Sequence, residues 1–220
     1  MPELPKKPLA PLGHAWHLGG SLPNAVIEIF VDYCCPFSAR LFKRFTTEVI
    51  PFLSEDAASS VRVIFQQLPQ PWHPQSTLLH EAVIAVRHLY GLEKTNEFQT
   101  VLFQHQKSFY DSATEDMPRA KIAEALAELA ASKISGVDKD AVLERLRVDR
   151  SDPEVLNGGT ASTRVLKFYV KQHRLLGIHV TPTTRVNGIV CDTSSGWTKE
   201  AWLDFLAPYI EGREPDGANL

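Results

Sequence analysis

Strand-like sequence sits only near the two ends of this chain, and that distribution restricts the folds open to it. Ala25 to Asp32 (AVIEIFVD) and Val61 to Leu68 (VRVIFQQL) are short and rich in β-branched residues, as buried strands are. Between them, Phe37, Leu41, Phe42, Phe45, Val49 and Ile50 recur at helical spacing from Pro36 to about Leu53. Strand signals then stop until Thr183–Val186 and Ile189–Cys191, which flank Asn187-Gly188, a strong tight-hairpin signal. Helical periodicity fills the middle: 76–90 closed by Gly91, then 95–107, 118–134, 138–148 and 160–176. Thr198–Ile210 forms a last amphipathic helix. The order is β-α-β, a block of helices, then β-β-α. Two strands joined through a helix make a parallel pair with a right-handed crossover.

At 220 residues the chain can bury a large core, and a net charge of −3 with both signs scattered gives no basis for a nucleic-acid partner. No run of about 18 apolar residues occurs, so no membrane partner is expected. The segment Met1-Pro2-Glu3-Leu4-Pro5-Lys6-Lys7-Pro8 lacks the apolar stretch of a signal peptide. The three cysteines do not form a disulfide framework, and the expected compartment is the cytoplasm, where thiols stay reduced.

The run Val31-Asp32-Tyr33-Cys34-Cys35-Pro36-Phe37-Ser38 joins the first strand to the first helix. Proline is favoured at the first helical position, since it lacks the N–H that would be orphaned there, and Pro36 fits that place. Cys35 then stands at the helix N-terminus, where free amides and the helix dipole favour an anion. A dithiol motif would carry a second cysteine three residues on; this chain has Ser38.

These features resemble the DsbA-like branch of the thioredoxin superfamily. Cys35-Pro36-Phe37-Ser38 lines up with the family's Cys-Pro-His-Cys site. Gly177-Ile178-His179-Val180-Thr181-Pro182-Thr183 and Val186-Asn187-Gly188 are similar to its Gly-Val-Xaa-Gly-Thr-Pro-Thr and Val-Asn-Gly segments. The resemblance implies an α/β, thioredoxin-like fold with an inserted α-helical subdomain. Residues 1–24 would form an N-terminal arm, 25–74 and 179–210 the thioredoxin-like domain, 75–178 the insertion and 211–220 a flexible tail. It further implies that Cys35 is the exposed nucleophile, that Pro182 is a cis-proline facing it, and that Pro36, Phe37, Thr181 and Pro182 contact substrate. Ser38 would donate a hydrogen bond to a Cys35 thiolate, but it cannot displace a bound thiol.

The chemistry that follows is monothiol exchange: Cys35 forms a mixed disulfide, and an external thiol such as glutathione releases it. The expected partners are peptide or small-molecule thiols and disulfides, with no cofactor beyond glutathione as a co-substrate. Two other readings stay open. One is a redox-inactive module binding peptides at the cis-proline face; the other is a kappa-like glutathione transferase using Ser38. Cys34 is a secondary site candidate, weighed as a resolving thiol against packing beneath the helix start, and Cys191 is read as a small core or edge residue. His73, His80 and His88 are spaced too widely for a helical metal-ligand pair, so no metal site is expected. His73, in Pro71-Trp72-His73-Pro74, lies on a loop leaving the carboxyl end of the second strand, where α/β sites gather. It is a secondary site candidate, weighed against simple loop packing with Trp72.

Overall fold

The computed structural model describes residues 14–17, 23–56 and 61–212. Strands β1 (His14–His17), β2 (Ala25–Val31), β3 (Val61–Gln67), β4 (Thr183–Val186) and β5 (Ile189–Cys191) make one sheet in the order β1-β3-β2-β4-β5. β2 and β3 are parallel, with Ile29 beside Phe65; β4 runs antiparallel to β2, and β5 to β4. The central position of β2 explains its composition, since a strand paired on both edges and covered on both faces carries side chains that need no water. Ile27 and Ile29 pack with Leu41, Phe42, Phe45, Phe65 and Trp202 on one face, while Phe30 joins Leu68 and Ile178 on the other.

The predicted first helix is built in three parts. α1 (Pro36–Arg44) passes through a π-helical turn, Phe45–Val49, into α2 (Ile50–Asp56). Pro51 is the sequence cause we identify, because it has no N–H to offer the carbonyl four residues back and disrupts the regular ladder there. The hairpin forms as its residues require, with Asn187 at φ 50° and Gly188 at φ 89°, both positive as a type I′ turn demands. Asn187 also ties the hairpin to β2, its Oδ1 accepting from the Val26 N–H at 2.8 Å.

Between β3 and β4 lie α3 (Ser76–Gln104), α4 (Asp111–Thr114), α5 (Arg119–Lys133), α6 (Lys139–Leu146) and α7 (Thr163–Leu175); α8 (Lys199–Ile210) closes the chain over the sheet. Among the described residues, none between Gln67 and Thr183 belongs to a strand of the sheet. The helices bury a second core of Leu79, Val83, Phe98, Leu102, Leu126 and neighbours, because amphipathic helices satisfy their apolar faces against one another. Cys34 and Tyr33 belong to this helical core, so the β2–α1 turn stands where the two cores meet.

One element was hidden from the sequence. Within the residues read as an arm, His14–His17 pairs with β3, aligning His14 with Phe65. The free edge of β3 offers unpaired N–H and C=O groups, and backbone pairing can satisfy them without any apolar alternation in the partner. The remainder of the arm before Pro23, and the tail from residue 213, lie outside the described residues.

Gly91 breaks α3 with φ 81° and ψ −168°, a conformation open in practice only to glycine. No atom crowds the place its Cβ would take, so substitution would be penalised by the backbone alone. Gly91→Ala is therefore expected to lose about 1–3 kcal/mol in urea denaturation. A variant as stable as the parent would show that α3 can run straight.

Candidate active site

Four residues turn the chain from β2 into α1. The Cys35 N–H donates to the Asp32 carbonyl at 3.0 Å, and the Cys35 carbonyl accepts from the Ala39 N–H at 3.1 Å. Cys35 is the N-cap residue and Pro36 the first residue of the helix. The helical region clamps this turn from above: Gln106 Nε2 donates to the carbonyls of Tyr33 (2.8 Å) and Cys35 (3.1 Å).

The Thr181–Pro182 bond is cis. Cys35 Sγ lies 3.4 Å from the Thr181 carbonyl oxygen, so two segments distant in sequence meet at the thiol. The resemblance implied an exposed nucleophile, and here the structure differs. Cys35 is only 5% exposed, because the Thr181 backbone and the Gln106 clamp close around the turn. Pro36 and Phe37 are exposed beside it.

Ser38 also departs from expectation. It is fully buried, and its hydroxyl oxygen accepts the Asp32 N–H at 3.3 Å instead of serving the Cys35 sulfur. A hydroxyl in that position braces the turn and is not presented to a ligand, which removes the support for a transferase reading built on Ser38. Cys34 points away from Cys35, with its Sγ 3.9 Å from the Phe109 carbonyl oxygen. Burial pushes the Cys34 thiol well up from its ordinary range, and the charges of Asp32 and Asp111 add to this. All three cysteines are free, and Cys191 is buried in the sheet core.

The residue that organises the site is Asp32, which carried no role in the sequence reading. Its carboxylate is fully buried. Oδ1 accepts from the Cys34 N–H (2.8 Å) and the Ser76 hydroxyl (2.6 Å). Oδ2 accepts from the Gln70 N–H (3.0 Å) and pairs with His73 Nδ1 (2.8 Å). Burial by itself would raise the Asp32 carboxyl, but the interactions with His80, Ser76 and His73 outweigh it and hold it at about 2. His73 is thus fixed by its hydrogen bond to Asp32 and not by packing on Trp72, which is mostly exposed with its ring 6.2 Å away. His80, buried on α3, places Nε2 3.8 Å from Asp32 Oδ1 while its Nδ1 meets Gln67 Oε1 at 2.7 Å. Burial lowers His80 below the ordinary histidine range, so it is neutral at pH 7.

An aspartate closing a mostly apolar strand, three residues before Cys35, was the visible signal for this network. Two histidines, one inside the proline-rich loop and one on the helix after it, were the other. Among the described residues, no three His, Cys, Asp or Glu side chains are arranged to hold a metal ion. No helix among them is long and apolar enough to cross a membrane.

No protein-family model and no curated protein matches the chain. Solved structures do. A candidate protein-disulfide isomerase from Pseudomonas syringae matches with TM-score 0.67 and 22% identity, over 88% of this chain and 97% of that one. BdbD from Bacillus subtilis matches with TM-score 0.64 and 20% identity, over 91% and 94%. Chlamydia trachomatis DsbA gives 0.59 and 14%, over 94% and 97%. The chain has the DsbA-like thioredoxin fold. At these identities the likeness is one of architecture, and the chemistry must be argued from the residues. Within this fold, Cys35 and Pro36 stand at the start of the helix after β2, with Ser38 one helical turn on.

Proposed function

We propose that this chain is a thiol-disulfide oxidoreductase working through a single thiol, Cys35, and reset by an external thiol such as glutathione. The observation that carries the reading is the 3.4 Å approach of Cys35 Sγ to the backbone of Thr181, next to Pro182. It sets a cysteine at a helix N-terminus against the backbone of a cis-proline bend along which a peptide or glutathione can lie. Phe37, Trp72 and Val180 are each more than half exposed, on the three segments that converge on the turn. Such a surface suits the apolar flanks of a peptide or small-molecule disulfide.

In the first step the Cys35 thiolate attacks one sulfur of a substrate disulfide. The Cys35–substrate bond forms as the substrate S–S bond breaks, and the departing sulfur takes the electron pair and a proton. In the second step a glutathione thiolate attacks the substrate sulfur of the mixed disulfide, leaving substrate joined to glutathione and returning Cys35. Ser38 cannot perform this second attack, and Cys34 faces Phe109 from a buried position that disfavours its thiolate.

Intact-mass measurement after incubation with oxidised glutathione tests the reading. A single glutathione adduct is expected, lost in Cys35→Ala and kept in Cys34→Ala. An adduct that survives Cys35→Ala would move the reactive thiol away from Cys35, and none at all would favour a redox-inactive module binding peptides at the cis-proline face.

A further inference from the structure

We propose that His73, oriented by Asp32, is the proton-transfer residue of the exchange reaction, protonating the thiol that leaves when Cys35 forms its mixed disulfide. The inference rests on the reading of Cys35 as the nucleophile. Its geometry is that of an oriented imidazole: a buried carboxylate fixes one ring nitrogen, and the other is left to handle the proton. His73 Nδ1 is 2.8 Å from Asp32 Oδ2, and Asp32 is ionised, so Nδ1 carries the proton of that bond and Nε2 is the free nitrogen. The ring is partly exposed, with 20% of its side chain open to solvent.

The same aspartate holds the nucleophile. Its backbone carbonyl accepts the Cys35 N–H, and its Oδ1 accepts the Cys34 N–H, so one residue sets the positions of both thiol turn and imidazole. His73 and Pro36 line a cavity of about 350 Å³ with Cys34, Gln75, Tyr110 and Asp111. The cis-proline loop does not contribute to that lining. Cys35 Sγ therefore has the Thr181 backbone against it, while the cavity opens from the neighbouring residue, Pro36. A substrate whose retained half lies along Thr181 sends its leaving half towards the cavity and His73.

Ser112 also lines the cavity, and two of the other polar groups there are engaged. The Tyr110 hydroxyl donates to Gln106 Oε1 at 2.6 Å, and Asp111 Oδ1 accepts from Gln75 Nε2 at 3.2 Å. Burial raises both the Tyr110 phenol and the Cys34 thiol, which makes neither a ready proton carrier.

The step balances. The electron pair of the breaking S–S bond goes to the leaving sulfur, which takes a proton from the His73 imidazolium as the Cys35–substrate bond forms. The neutral imidazole then takes a proton from the incoming glutathione thiol in the second attack. Asp32 stabilises the imidazolium throughout and acts as a positioning residue.

Leaving-group dependence separates this role from a structural one, because a weakly basic thiolate departs without help and a basic one does not. The rate of mixed-disulfide formation is measured with oxidised glutathione, which releases an alkyl thiol, and with 5,5′-dithiobis(2-nitrobenzoate), which releases an acidic aryl thiol. His73→Asn supplies an amide in place of Nδ1 and removes Nε2. It should slow the glutathione reaction by about 100-fold, in the range of general acid catalysis, while the aryl reaction falls by less than about threefold. His73→Gln, which can hydrogen-bond from the Nε2 position but cannot transfer a proton, should show the same selective loss, and circular dichroism would establish that both variants are folded. Equal losses with both disulfides in both folded variants, or no loss with either, would overturn the proposal. A wild-type Cys35 that reacts with neither disulfide would instead overturn the thiol-exchange reading, and this inference with it.

Discussion

Asp32→Ala is expected to destabilise the protein by about 3–5 kcal/mol at neutral pH, since several buried donors lose their acceptor at a cost of about 1–3 kcal/mol each. The truncation strands the Cys34 N–H, the Gln70 N–H, the Ser76 hydroxyl and His73 Nδ1, all of which find their partner in one carboxylate. Each buried donor left without an acceptor is costly in its own right. Acid should reproduce part of this loss. Asp32 is lowered from 3.8 to about 2 in the folded protein, so its contribution is complete above about pH 4 and disappears as the pH falls towards 2. That difference corresponds to about 2–3 kcal/mol.

The decline should begin earlier, because burial holds His173 neutral down to about 3 and also lowers His80. Below pH 6.5 the unfolded chain takes up protons that these folded histidines refuse, so stability falls with pH through that window. Urea denaturation of parent and Asp32→Ala at pH 7, 5 and 3 would measure both effects. The histidine slope should survive the substitution down to about pH 3, and only the extra loss that the carboxylate adds below pH 4 should vanish. A stability that stayed flat between pH 7 and 3 would contradict the burial argument for both histidines.

The largest change in activity is expected from Ser38→Cys. Ser38 lies one helical turn from Cys35, buried, with its oxygen 3.3 Å from the Asp32 N–H. Residues three apart on a helix share a face, so a thiol there is placed to attack a mixed disulfide at Cys35 from within the chain. Its effective concentration would far exceed that of millimolar glutathione, and the mixed disulfide should be shortened in lifetime by at least about a hundredfold. Trapping the intermediate by rapid alkylation and mass measurement reads that lifetime. Insulin reduction with dithiothreitol, which should be slow in the parent, should rise in parallel. An adduct that persists equally in Ser38→Cys would mean that the turn holds the two side chains apart.

The helix start at Cys35-Pro36, the Asn187-Gly188 hairpin and the β-α-β, helices, β-β-α order were legible because each depends on local chemistry: a missing proline N–H, positive φ angles, apolar spacing. From them follow the thioredoxin-like core and the position of Cys35. What the sequence could not supply was the partner of any side chain. Ser38 and Cys35 sit three apart, yet the Ser38 oxygen turns to a backbone N–H; Cys34 and Cys35 are adjacent, yet their sulfurs face different walls. Asp32, Gln70, His73, Ser76 and His80 come from the end of one strand, a loop and a helix, and only packing of the helical region on the sheet gathers them around one carboxylate. A backbone reads its own neighbours, so strands, turns and helix starts were written in the sequence; a buried charge takes whichever donors the packed chain brings to it, and that choice belonged to the tertiary structure.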